Sequence, residues 1–126
     1  MRQITKQAVN KFNNNENFTK DNTQVWYGRE CSLTPITKLF LHNNLIAYKK
    51  YSSLVITNSG WFSNTTKERL NGLLDSIGFD KICQKNFEWF LADKKWNGNP
   101  IKILKNNNWE YINELELSKY YNEGSF

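Results

Sequence analysis

Between Ser59 and Leu74 the chain reads Ser-Gly-Trp-Phe-Ser-Asn-Thr-Thr-Lys-Glu-Arg-Leu-Asn-Gly-Leu-Leu, a glycine turn running into a helix start. Thr65 and Glu68 have the T-x-x-E spacing of a capping box, in which each side chain satisfies an orphan backbone donor. Leu70, Leu73, Leu74 and Ile77 recur at i, i+3, i+4 and i+7 and make one apolar stripe. Gly78 stands where a left-handed residue ends a helix. The spacing therefore predicts a helix over about residues 66–77 with those four side chains buried. The opposite face carries Lys67, Arg69 and Asn71. Cations in a first turn oppose the helix dipole, so helix stability does not account for them. Beside unpaired N–H groups they suit a phosphate or an acidic partner.

The flanking segments read mostly as strands. A first helix over about 6–14 is expected, capped by Thr5, with Ile4 and Val9 as a hydrophobic staple and Phe12 on its apolar face. Residues 16–23 read as a polar connection with Phe18 folded back onto the core. Residues 25–27 make a short strand. Residues 36–42, 45–50 and 54–57 are β-rich runs separated by Asn43-Asn44 and Tyr51-Ser52-Ser53, which predicts an antiparallel meander. Residues 81–92 have β-propensity throughout, 93–100 form a turn cluster, and 101–104 and 109–112 read as further strands. A short helix is expected after Asn113. The order αββββαββ implies an α+β fold: one domain over 1–126, an antiparallel sheet built on the meander, and helices packed on one face.

At 126 residues the chain can bury roughly two-thirds of its unfolded surface. Five Trp, six Tyr and eight Phe supply the core that the modest aliphatic content does not. Asparagine runs at 13–15 and 106–108, together with lysine far in excess of arginine, fit drift from an AT-rich coding sequence. The net charge of +5 permits contact with nucleic acid or an acidic protein. Cys31 and Cys83 lack metal-ligand spacing and are expected as free thiols in a reducing cytoplasm. The start, Met-Arg-Gln-Ile-Thr-Lys, has no apolar h-region, and no apolar run is long enough for a membrane span.

No sequence motif carries catalysis. There is no G-x-S-x-G elbow, P-loop, dinucleotide fingerprint or EF-hand loop. His42 is the only histidine and falls at a turn. Glu88 and Asp93, followed by Lys94 and Lys95, resemble a metal-nuclease core only loosely. No cofactor or metal is expected, and the chain reads as a non-enzyme. The partner-binding candidates are Lys67 and Arg69, then Lys49 and Lys50 at a hairpin end, and Lys94 and Lys95 beside Trp96. Trp61, Phe62 and Trp89 read as core. Three strands followed by a helix are similar in topology to the double-stranded RNA binding domain. The basic cluster of that domain is reduced here to Lys67 and Arg69, so the family is not assigned.

Four segments carry a closer likeness. Asn22-Thr23-Gln24-Val25, Leu39-Phe40-Leu41-His42-Asn43-Asn44-Leu45-Ile46-Ala47, Ile56-Thr57-Asn58-Ser59-Gly60-Trp61 and Thr65-Thr66-Lys67-Glu68-Arg69-Leu70-Asn71 resemble a small accessory protein family of tailed bacteriophages. The likeness spans about residues 2–91. It implies an accessory protein made during infection, acting in the host cytoplasm. Such proteins commonly bind nucleic acid or a host nucleoprotein complex, and some inhibit host defence systems such as CRISPR. A small metal-dependent nuclease and a structural virion or assembly protein are the alternatives.

Overall fold

The computed structural model describes residues 1–29 and 34–113. The element order is α1 (Gln3–Asn13), β1 (Phe18–Lys20), β2 (Thr23–Gly28), β3 (Ile36–Leu41), β4 (Asn44–Lys50), β5 (Ser53–Ile56), α2 (Asn64–Ser76), β6 (Ile82–Lys85), β7 (Glu88–Leu91), β8 (Lys94–Trp96), β9 (Ile101–Ile103) and β10 (Trp109–Tyr111). The class is α+β. Seven antiparallel strands lie in the order β1-β2-β3-β4-β5-β9-β10, and β6-β7-β8 make a second sheet. No described helix is long and apolar enough to cross a membrane.

The meander over 36–57 forms as expected, and β1 and β2 extend it to five strands. Its first turn is shifted by one residue. Leu41 pairs with Asn44, which leaves His42 and Asn43 as the central pair, at φ 51° and 65°. Both angles are positive, as a two-residue turn that matches the strand twist requires. The second turn is Tyr51-Ser52. Phe18 does pack against the core, but from a strand where a polar connection was expected.

Both helices lie on one face of the large sheet. Val9 and Phe12 of α1 and Leu70, Leu73 and Leu74 of α2 meet Val25, Leu39, Ala47 and Ile56 in one core. Ile82, Trp89, Leu91 and Trp96 bring the small sheet into the same cluster. On the reverse face Ile36, Tyr48 and Val55 are buried, with Trp26, Leu45 and Ile112 packed against them.

The helix ends correct several expectations. Helix α1 begins three residues earlier than expected, and Thr5 does not cap it; the threonine lies within the first turn and is fully buried. In α2 the cap is Ser63, not Thr65. Its extended backbone (φ −94°, ψ 157°) lets Oγ accept from the Thr66 N–H at 3.1 Å. Glu68 does not reach back to close a capping box; it is drawn to Arg69 and Thr5. Ser63→Ala is accordingly expected to cost about 0.5–2 kcal/mol, whereas Thr65→Ala stays within error of wild type in urea melts. The reverse order would return the cap to Thr65.

At the other end of α2, Gly78 takes φ 74°, Phe79 N–H donates to the Leu74 carbonyl at 3.0 Å, and Gly78 N–H donates to Asp75. This double closure turns Phe79 back into the core. It leaves Ile77 outside the helix and 48% exposed, so Ile77 does not belong to the buried stripe.

Residues 81–92 are not one strand. A two-residue turn at Asn86-Phe87 (φ 52° and 65°) splits them into β6 and β7, and Ala92-Asp93 (φ 49° and 65°) turns the chain again into β8. The segment read as a turn cluster therefore contains a strand. The loop before α2 is clamped to the connection between β8 and β9. Thr57 Oγ1 and Asn58 N–H both donate to the Gly98 carbonyl, at 2.8 and 3.0 Å. The Asn58 side chain occupies the space that a Cβ at position 98 would need, and Gly98 itself has φ 88°. Glycine is required there on both counts. The expected C-terminal helix, like Cys31, lies outside the described residues.

Candidate functional site

The six cations named as partner-binding candidates are scattered rather than gathered. Arg69 is 1% exposed and is not a surface cation. Its Nη1 donates to Glu68 Oε1 at 2.6 Å and to Thr5 Oγ1 at 2.7 Å, and its Nε donates to Thr23 Oγ1 at 3.2 Å. Thr5 in turn donates to Glu68 at 2.6 Å. Arg69 therefore ties α2 to α1 and β2. Burial lowers its pKa from the ordinary arginine value; Glu68 opposes that shift and Arg2 adds to it. A guanidinium remains charged at any ordinary pH even so.

Lys49 caps α1 from the large sheet. Its Nζ donates to the Phe12 carbonyl at 3.2 Å and sits 5.2 Å from the Phe12 ring centroid. A cation at a helix C-terminus complements the dipole. Burial lowers its pKa. The unfolded chain then holds more protons between the lowered and the ordinary value, so this group adds stability only as pH rises through that alkaline window. Lys50 is buried on the reverse face, 5.5 Å from the Tyr51 ring centroid. Lys94 donates to the Trp109 carbonyl at 3.3 Å and lies 4.5 Å from that ring centroid.

Unlike Arg69, Lys49 and Lys50, Lys67 stays at an accessible edge of α2, where its Nζ donates to Gln84 Oε1 on β6 at 2.9 Å. That bond leads to an assembled surface. Gln84 pairs across the small sheet with Trp89, and Phe62 meets Trp89 edge-on at 5.1 Å and 73°. Trp89 is core, as expected. Trp61 and Phe62 are not: they are 59% and 50% exposed on the loop clamped at Gly98. Beyond Gln84 the β6–β7 hairpin presents Lys85 and, at its tip, Phe87, 94% exposed. Lys95 of β8 pairs with Glu88 at 2.9 Å.

On the Gln84–Trp89 face the hairpin end of the small sheet thus combines Lys67 with exposed Trp61, Phe62 and, at the tip, Phe87, whereas Lys85, opposite Glu88, lies on the other face with Cys83 and Phe90. Gln84 is a neutral partner and leaves the charge of Lys67 uncompensated. Glu68 is engaged by Arg69 and Glu88 by Lys95, while Asp80 and Asp93 share a hollow with Lys85 on the other face. Sequence reasoning missed Phe87, Lys85 and Gln84. The available signal was an aromatic residue directly after Asn86, a turn-forming residue inside an apparent strand.

Other features are weaker. A cleft of about 270 Å³ beside the α2 N-terminus is lined by Leu41, Ile46 and Trp61 together with His42, Asn44, Ser63, Thr65 and Thr66, and no lysine or arginine lines it. His42 is exposed at its turn, 3.4 Å from Asn22 Nδ2. Glu88 and Asp93 stand at opposite ends of β7. Among the described residues no group of three or more His, Cys, Asp or Glu is placed to hold a metal ion. Cys83 is an exposed free thiol.

A family model described as Kyanoviridae Gp96 protein matches residues 1–117. No curated protein and no solved structure matches the chain.

Proposed function

The chain belongs to the Kyanoviridae Gp96 family, a family of cyanophage proteins, and from that premise we propose that it is a non-catalytic accessory protein that binds nucleic acid or a host nucleoprotein complex. The observation that supports this reading is the hairpin end of the small sheet, where Lys67 stands beside exposed Trp61 and Phe62, with Phe87 at the tip. Lysines contribute attraction to a phosphate backbone, and aromatic faces contribute contact with bases. Inhibition of a host defence complex such as CRISPR, in the host cytoplasm, is the most concrete form of the reading, because such machines present nucleic acid in accessible channels.

The test is fluorescence anisotropy of labelled DNA and RNA across a salt series, with a pull-down from infected host extract beside it. Affinity should fall linearly with salt on logarithmic axes. Lys67→Glu should weaken binding and flatten that slope by up to about 0.7 for a lost single-strand contact or 0.9 for a lost duplex contact. A folded Lys67→Glu variant with unchanged affinity and slope would remove this surface as the site. Absence of binding to nucleic acid and to any nucleoprotein, with the chain recovered in purified virions, would replace the reading by a structural one.

A further inference from the structure

We propose that the occupant of the hairpin end is single-stranded nucleic acid, with Phe87 as the side chain on which an unpaired base stacks. This deepens the nucleic-acid reading above and rests on it.

The first observation is the backbone under Phe87. It is the second central residue of the Asn86-Phe87 turn, at φ 65°. That position favours glycine, and Asn-Gly is the pairing such turns prefer. A phenylalanine in the left-handed region is uncommon and strained. Here it is also 94% exposed, so folding gains no burial in return. An unfavourable backbone state holding an apolar ring in solvent points to a contact made outside the chain.

The second observation is the company the ring keeps. Trp61 and Phe62 offer two more rings from a clamped loop, and Phe62 is held edge-on against buried Trp89. Lys67 adds positive charge on the same face, and Glu68 beside it on α2 is engaged by Arg69. The charge complements a phosphate backbone, and the rings complement base faces. Duplex bases turn their faces to one another and offer only edges, whereas unpaired bases can splay onto aromatic side chains.

The third observation is what this end lacks among the described residues. Bidentate reading of a guanine edge in a duplex groove calls for an arginine fork. Arg69 is consumed in the core, Arg2 precedes α1, and Arg29 follows β2. Helix α2 therefore presents no arginine to a groove. Lysines with rings give binding that tolerates sequence.

The experiment uses the full chain, a fluorescein-labelled thymidine oligonucleotide, and the blunt duplex made from it and its complement. The variant is Phe87→Gly, which restores the preferred Asn-Gly turn and so keeps the fold. Wild type should bind the single strand at least about tenfold tighter than the duplex. Phe87→Gly should lose about 5- to 150-fold on the single strand, the equivalent of one stacked base. Its salt slope should stay unchanged because Lys67 remains. Equal affinity for the two forms, or a Phe87→Gly protein that binds the single strand like wild type, overturns the single-strand assignment and leaves the broader reading standing. Failure to bind either form at low salt overturns this assignment together with direct nucleic-acid binding.

Discussion

Glu68→Ala is expected to destabilise the protein by about 3 kcal/mol, and Arg69→Met by much less. The asymmetry follows from which partner is stranded. Removing Glu68 leaves a guanidinium 1% exposed to solvent with only the neutral Thr5 and Thr23 hydroxyls as acceptors. That charge cannot be shed by deprotonation at ordinary pH. Removing Arg69 leaves a carboxylate whose side chain is 29% exposed and can rehydrate, while methionine refills the space. The double variant Glu68→Ala with Arg69→Met should recover most of the loss. Urea melts of the three proteins decide the matter, and equal losses in the two single variants would show that Arg69 does not carry a buried charge in solution.

Leu73→Ala should cost about 2–5 kcal/mol, whereas Ile77→Ala should stay within about 0.5 kcal/mol of wild type. Leu73 is fully buried where α2 meets α1 and the large sheet, so truncation leaves a cavity. Ile77 projects beyond the helix end. Equilibrium denaturation with an unchanged m-value is the measurement. Comparable losses at the two positions would mean that the helix continues past Ser76 in solution.

These variants also mark where the sequence was legible. The core stripe of α2, the strands of the meander and the closure at Gly78 all depend on local chemistry: apolar spacing, β-branched runs and a residue free to take positive φ. Arg69 depends on residues far along the chain. Its burial requires Thr5 and Thr23 to arrive from α1 and β2, and no window around position 69 contains that information. The small sheet was hidden for a different reason. Its turns are built from Asn86-Phe87 and Ala92-Asp93, and neither Phe87 nor Ala92 is a residue that announces a turn. A β-rich run interrupted by an aromatic ring reads as continuous strand. The same concealment removed the candidate site from view, because its most exposed ring sits at one of those turns.

The pairing of β5 with β9 brings Val55 opposite Lys102, with residues 57–100 held between them. Every other pairing in the large sheet joins neighbours along the chain and closes a shorter loop. The entropy lost in closing a loop grows with its length, and contacts between distant residues slow folding. The five-stranded meander should therefore form first and wait for β9. During that interval β5 is an unpaired edge, and its sequence Ser-Leu-Val-Ile is the stretch through which a newly made chain is most exposed to pairing with another copy.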